Sequence, residues 1–246
     1  MKKKFHIQNI NKEPWVDLPS SELIKNWQDK DEIKFNQKNR QIEKYKMFVK
    51  VFDFLNGNGI NGDYFEFGCH RCRTFRMVMS LAFVHLKKNM SFFAFDSFEG
   101  LPELKNEVSV SHWKKASLKT TETDFLKLIK KSGYSTKNVH IIKGFYDKSL
   151  DKDLLDKLKK KKVKCKLVNI DCDLYESAVP VFNFLDDFLV EGSIIYLDDF
   201  FVGNKGNVNA GIPKAFYEYK KKSKWSFIEH MQVSWWGKTF ITVKKS

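Results

Sequence analysis

Four segments of this chain run apolar and then stop at carboxylates. Tyr64-Phe65-Glu66-Phe67-Gly68 carries Glu66 near its end, and Phe92-Phe93-Ala94-Phe95-Asp96 ends on Asp96. Val168-Asn169-Ile170-Asp171-Cys172-Asp173 delivers two acids, and Ile194-Ile195-Tyr196-Leu197-Asp198-Asp199 delivers two more. Runs of this kind read as strands of a parallel sheet buried on both faces. Acids at their C-terminal ends converge on the crevice where open α/β sheets bind ligands. Like charges gathered there repel unless a cation or a proton intervenes. A donor set of carboxylates suits a hard cation, Mg²⁺ above all. A hydroxyl bound to such an ion has its pKa lowered and becomes a better nucleophile.

Gly68 directly follows the first of these runs, where the backbone must turn close to a ligand at a helix N-terminus. A dinucleotide fold shows G-x-G-x-x-G at this point. Gly68-Cys69-His70-Arg71-Cys72-Arg73 offers one glycine, which disfavours a pyrophosphate ligand and a dinucleotide-dependent oxidoreductase, although arginines can substitute. Asp96, ending the next run, can accept two hydrogen bonds from a ribose diol. One glycine and a ribose acid fit an adenosine ligand without a pyrophosphate, such as S-adenosylmethionine. Cys69 and Arg73, in the same loop, join Glu66, Gly68 and Asp96 as candidate cofactor-binding residues. For a general base the candidates are Asp171, His112 and His230. His112 stands with Trp113 in a long polar excursion after Pro102. His230 lies near Trp235 and Trp236, which stack on a sugar or fill the core. Asp186-Asp187-Phe188 repeats the text of Asp198-Asp199-Phe200 but falls inside a helical pattern and reads as surface.

A sheet and its helices must carry these side chains. Apolar positions from Arg40 to Leu55 recur at helical spacing, ended by Gly57-Asn58-Gly59. Strands follow at 63–67, 91–95, 139–143, 166–170 and 193–197. Helices alternate with them at 74–86, 122–131, 150–161 and 178–188, and Pro213 opens one more. The chain closes with runs at 226–233 and 238–243 around Trp235-Trp236-Gly237, a terminal hairpin. This alternation predicts an α/β, doubly wound, mostly parallel seven-stranded sheet with a C-terminal antiparallel hairpin. Residues 1–37 are polar and Lys-rich and read as an N-terminal arm or cap; 38–246 read as a single domain.

Hydrophobic residues at 42% and charged residues at 30% place the chain among globular proteins. No apolar stretch approaches the roughly 18 residues a membrane span needs. Met1-Lys2-Lys3-Lys4 is followed by Gln8, Asn9, Asn11 and Lys12 rather than by an apolar region, so a cytoplasmic protein is expected. The net charge of +14 invites a nucleic-acid partner, but nearly all the cations are lysines spread over helix faces, and no basic-aromatic recognition motif accompanies them. Three of the four arginines, Arg71, Arg73 and Arg76, crowd the loop after the first strand, where a planar guanidinium fork matters. Cys69, Cys72, Cys165 and Cys172 lack both disulfide-framework and zinc-pair spacing.

Asp96-Ser97-Phe98-Glu99-Gly100-Leu101-Pro102-Glu103, Ile170-Asp171-Cys172-Asp173-Leu174-Tyr175-Glu176-Ser177 and Glu191 through Phe200 closely resemble the TylF/MycF (macrocin O-methyltransferase) family, in order and in spacing, over roughly residues 60 to 243. The resemblance implies a class I (Rossmann-like) methyltransferase fold, S-adenosylmethionine as cofactor and methylation of a sugar hydroxyl, often with Mg²⁺. It implies Glu66 and Gly68 on the methionine side, Asp96 at the ribose, Ser97 and Phe98 flanking the adenosine, and Gly144-Phe145 near the adenine. It assigns the metal to Asp171, Asp198 and Asp199, with Asp171, preferred over Asp173, facing the cofactor as well. A homo-oligomer is also plausible on this ground. One departure stands out: Cys72, between Arg71 and Arg73, occupies the place of the family's second loop glycine. A nucleic-acid-binding methyltransferase and a non-catalytic cofactor binder remain the alternatives.

Overall fold

The computed structural model describes residues 12–13, 16–17, 25–85, 90–103 and 114–245. The chain divides into two compact units, Met1–Ile42 and Glu43–Ser246. In the first, β1 (Lys12–Glu13) pairs antiparallel with β2 (Val16–Asp17), and Trp27 packs on Phe35. Helix α1 (Asp29–Gly57) starts well before the expected Arg40. Its first turns are too polar to show an apolar stripe, and Asp29, Asp31 and Glu32 there complement the helix dipole.

The second unit holds β3 (Asp63–Phe67), β4 (Phe92–Asp96), β5 (Val139–Lys143), β6 (Cys165–Ile170), β7 (Leu189–Leu197), β8 (Trp225–Val233) and β9 (Gly237–Lys244). They form one seven-stranded sheet in the order β5-β4-β3-β6-β7-β9-β8. The first five strands are parallel, and β9 joins β7 antiparallel with β8 at the edge. The expected sheet and hairpin are therefore present. Helices α2 (Arg73–Val84) and α3 (Glu122–Lys131) cover one face together with the end of α1. Helices α4 (Tyr146–Ser149), α5 (Lys152–Lys160), α6 (Tyr175–Leu185) and α7 (Gly211–Lys222) follow in the chain, and α5, α6 and α7 bury side chains in the core on the other face.

Strand alternation sorts the aromatic residues between these layers. Tyr64, Ala94, Leu167 and Tyr196 meet Phe48, Phe52 and Phe75. Phe65, Phe67, Phe95 and Val168 meet Leu158, Phe182 and Phe216 on the far side. Phe67 stacks on Phe95 with ring centroids 4.4 Å apart.

Two helices shift at their ends for local reasons. The helix expected over 150–161 forms at Lys152–Lys160, where the Asp151 side chain accepts the Leu154 N–H and caps it, and the short α4 precedes it as a separate turn. The helix expected over 178–188 runs from Tyr175 to Leu185. Asp186 lies just beyond it and accepts hydrogen bonds from the Tyr219 and Ser223 hydroxyls, tying α6 to the end of α7. The polar excursion after Pro102 falls largely outside the described residues, and His112 and Trp113 with it. Its base is pinned where the Leu101 N–H donates to Ser117 O and the Ala116 N–H donates to Leu101 O. Among the described residues no helix is long and apolar enough to cross a membrane.

Candidate active site

Strand order reverses between β3 and β6, the topological switch point at which open α/β sheets bind ligands. Past the strand ends the ladder continues for one more step. Gly68 N–H donates to Phe95 O (3.0 Å), Asp171 N–H to Phe67 O (2.8 Å) and Asp198 N–H to Ile170 O (3.0 Å). Gly68 has φ +89°, and a Cβ there would lie 1.8 Å from the backbone oxygen of Asp171. The loops after β3 and β6 thus touch backbone to backbone, a contact only glycine permits.

Carboxylate oxygens of Asp171, Asp173 and Asp199 lie within 4.8 Å of one another. Asp199 Oδ2 is buried with no hydrogen-bond partner among the described residues. Burial, then the neighbouring acids Asp173, Asp198 and Asp171, push the Asp199 carboxyl well above the usual carboxylate range. Burial and Asp198 also raise Asp171, to about 6, against the opposing pull of Lys44.

Asp198 is held differently. Its Oδ1 accepts from the Tyr196 hydroxyl and from Trp236 Nε1 (3.1 Å), and its Oδ2 accepts from Lys44 Nζ (2.9 Å). Lys44 also reaches Asp171 Oδ2 at 3.1 Å and is 5% exposed. Burial alone would lower the Lys44 pKa, but Asp171 and Asp198 together hold the ammonium well above its ordinary value. Lys44 and Tyr196 are absent from the residues singled out in the sequence as site residues, and Trp236 is named there only as an aromatic that stacks on a sugar or fills the core. For Lys44 the available signal is its place at the head of the α1 apolar stripe.

The cofactor-side candidates come together around the Gly68 loop. Asp96 accepts the Cys69 N–H on Oδ2 and the Phe98 N–H on Oδ1, both at 2.6 Å. The carboxylate thus ties two loops, and each oxygen keeps further acceptor capacity. Burial pushes its carboxyl up, and the two backbone donors oppose this. Glu66 is 2% exposed and accepts from the Tyr64 hydroxyl. Burial raises its carboxyl to about 8; Tyr64 and Lys44 pull it down and Asp171 pushes it further up. Cys69 is a buried thiol.

Ser97 Oγ donates to Gly100 O at 2.8 Å, closing the turn. The Phe98 ring is buried against Phe125 at 5.6 Å, so in this arrangement a ligand beside Phe98 meets its backbone and not its ring. Gly144, at φ +137°, donates its N–H to Asp96 O at 2.9 Å, and Phe145 opens α4.

The arginines divide. Arg76 donates to Cys72 O and Ser132 Oγ and serves the fold. Arg73 lies at the start of α2, where burial first, then the like charges of Arg71 and Arg76, lower its pKa. His230 pairs its Nδ1 with Thr239 Oγ1 (3.3 Å) and packs on Phe54, contacts of a structural histidine. Trp236 is buried in the site's support, whereas Trp235 is 62% exposed.

A doubly wound sheet of this strand order, closed by an antiparallel hairpin, has the class I, Rossmann-like methyltransferase fold. The chain belongs to the macrocin-O-methyltransferase (TylF) family, whose model matches residues 26–236, and is accordingly an S-adenosylmethionine-dependent O-methyltransferase. Among curated proteins, none matches the chain. Among solved structures it is similar to the O-methyltransferase NovP, with 17% identity and a TM-score of 0.67 over 82% of this chain and 81% of that one. It is similar to the calicheamicin methyltransferase CalS11, with 15% identity and a TM-score of 0.62 over 92% and 86%. TomG from Streptomyces achromogenes, solved with S-adenosylmethionine, shares 10% identity at a TM-score of 0.51 over 85% and 80%. At these identities the likeness is one of fold.

Proposed function

We propose that the protein methylates a hydroxyl of a sugar or sugar-linked small molecule, with Mg²⁺ held by the strand-end acids. The observation that carries this reading is the gathering of Asp171, Asp173 and Asp199 beside the Gly68 loop. Three carboxylates and a buried, unpartnered Asp199 oxygen make a donor set that fits a hard divalent cation. When bound, the ion supplies positive charge that makes an acceptor hydroxyl more acidic. Asp171, Asp173 and Asp199 would hold it, while Asp198 anchors the group from behind. Asp171, between this group and the Gly68 loop, would also be the base for the acceptor hydroxyl's proton.

S-Adenosylmethionine supplies the methyl group. Asp96 would receive its ribose, and Glu66, Gly68 and Cys69 its methionine end. Ser97, the Phe98 backbone, Gly144 and Phe145 would border the adenosine. The work of these residues is to align acceptor and methyl group, which supplies much of the rate of an in-line displacement. One solved relative, CalS11, is described as a TDP-rhamnose 3′-O-methyltransferase. Arg71 and Arg73, whose like charges oppose each other at the same loop, favour an acceptor that carries phosphate. A cytoplasmic location accords with four free, buried thiols.

Calorimetric titration of S-adenosylmethionine and S-adenosylhomocysteine, with and without Mg²⁺, tests the reading. Asp96→Ala should lose ligand binding, and Asp199→Asn should lose only the Mg²⁺ effect. A wild-type protein that binds neither ligand would sink the proposal. Acceptor screening starts with nucleotide-linked sugars, and activity indifferent to removal of the acceptor's phosphates would remove the arginines' part in it.

A further inference from the structure

Lys44 is a charge where α1 should be apolar. The buried positions of the helix are Lys44, Met47, Phe48, Val51, Phe52 and Leu55, one stripe at helical spacing. Its neighbours Lys46 and Lys50 are exposed. A buried ammonium is tolerated only when paired, and Lys44 is paired twice, with Asp198 Oδ2 at 2.9 Å and Asp171 Oδ2 at 3.1 Å. Asp198 thereby has donors on both oxygens, from Lys44, Tyr196 and Trp236. Its sequence neighbour Asp199 keeps a buried oxygen with no hydrogen-bond partner among the described residues. Two adjacent carboxylates thus have opposite fates, one bound to the protein and one aimed into the site.

We propose that Lys44 is a resident counter-cation, a positioning residue that holds Asp171 and Asp198 together before any divalent ion arrives. It commits Asp198 to the protein side and leaves the ion to Asp171, Asp173 and Asp199. The ion-related half of this inference rests on the divalent-cation reading above; the assembly half does not. Because the ammonium and the ion share Asp171, each weakens the other's hold. Without Lys44, two buried carboxylates face each other with one positive charge fewer, and a divalent ion is the natural replacement.

The test follows Mg²⁺ binding by calorimetry, and thermal unfolding in EDTA and in Mg²⁺, on the full chain. The variants are Lys44→Met, Lys44→Arg, Asp198→Asn and the double Lys44→Met/Asp198→Asn. Lys44→Met should melt lower in EDTA, recover in Mg²⁺, and bind Mg²⁺ roughly tenfold or more tightly than wild type, since a like charge beside the ion is gone. Lys44→Arg should track the wild type. The double variant should regain in EDTA much of the melting temperature that Lys44→Met loses, because the uncompensated carboxylate is gone as well.

A Lys44→Met chain that fails to fold while the double variant folds is the same result in stronger form. Lys44→Met with unchanged melting and unchanged Mg²⁺ affinity would overturn the proposal. So would a double variant no more stable than Lys44→Met. If no variant and no wild type binds Mg²⁺, the divalent-ion reading fails, and the recovery of the double variant in EDTA decides the role of Lys44.

Discussion

Glu66 shows what burial does to a carboxyl beside other acids. Burial pushes its carboxyl up to about 8 in the folded chain, against 4.5 for an exposed glutamate. The folded state therefore holds a proton that the unfolded chain has released between those values. Stability falls as pH rises through that window, by at most about 1.4 kcal/mol per pH unit. Glu66→Gln keeps the shape without the charge, so it should flatten this slope and melt above wild type on the alkaline side. Parallel melting curves for the two proteins from about pH 5 to 9 would mean that Glu66 is ionised in the fold. Trp236 makes a simpler case. Trp236→Phe removes the N–H that Asp198 accepts at 3.1 Å and leaves part of the buried indole's volume unfilled. A loss of about 2–3 kcal/mol is expected, read as a melting point lower by several degrees.

Among the described glycines, Gly68 brings an added Cβ nearest to backbone, at 1.8 Å, with Gly100 next at 2.4 Å from Ser117 O. Gly68→Ala should destabilise by roughly 3 kcal/mol or more and abolish S-adenosylhomocysteine binding, since its Cβ would meet the Asp171 backbone at 1.8 Å. Gly133 is the control: it has φ +81° with nothing within 4 Å of an added Cβ, so Gly133→Ala should cost only about 1–2 kcal/mol and leave binding intact. Thermal melts and ligand titration on both variants check this. Such elements were legible in the sequence because strand and acid are contiguous there: each apolar run announces its own carboxylate. Lys44 was not legible in that way. It is one lysine among many, its partners lie on β6 and β7, and only the three-dimensional crossing of α1 over the sheet brings them together. Tyr196 reads as a core residue, and it is; its hydroxyl reaches Asp198 two residues further on. Trp236 reads as stacking on a sugar or filling the core; it is buried, and its N–H reaches Asp198 because β9 pairs beside β7. The start of α1 was missed because a polar helix has no apolar period to detect.

Across the whole molecule a net charge of +14 sits on a fold that gathers Asp171, Asp173 and Asp199 at the strand ends. A diffuse lysine surface of this kind binds polyanions without specificity and loses them steeply with salt. Retention on single- or double-stranded nucleic acid should therefore vanish by about 0.2 M salt, while S-adenosylhomocysteine affinity changes little. Tight, sequence-dependent binding above that salt would revive the nucleic-acid reading. The hydrogen bonds that carry the ladder past the strand ends have a further consequence. Asp171 and Asp198 are pinned to the last carbonyls of β3 and β6, and Gly68 to the penultimate carbonyl of β4, so the acids are metered by the sheet's own interstrand pitch of about 4.8 Å. Side chains and loops only decorate that ruler. A laboratory library confined to the segments after Gly100 and after Phe200 could thus be searched for new acceptors without detuning the spacing on which the chemistry depends.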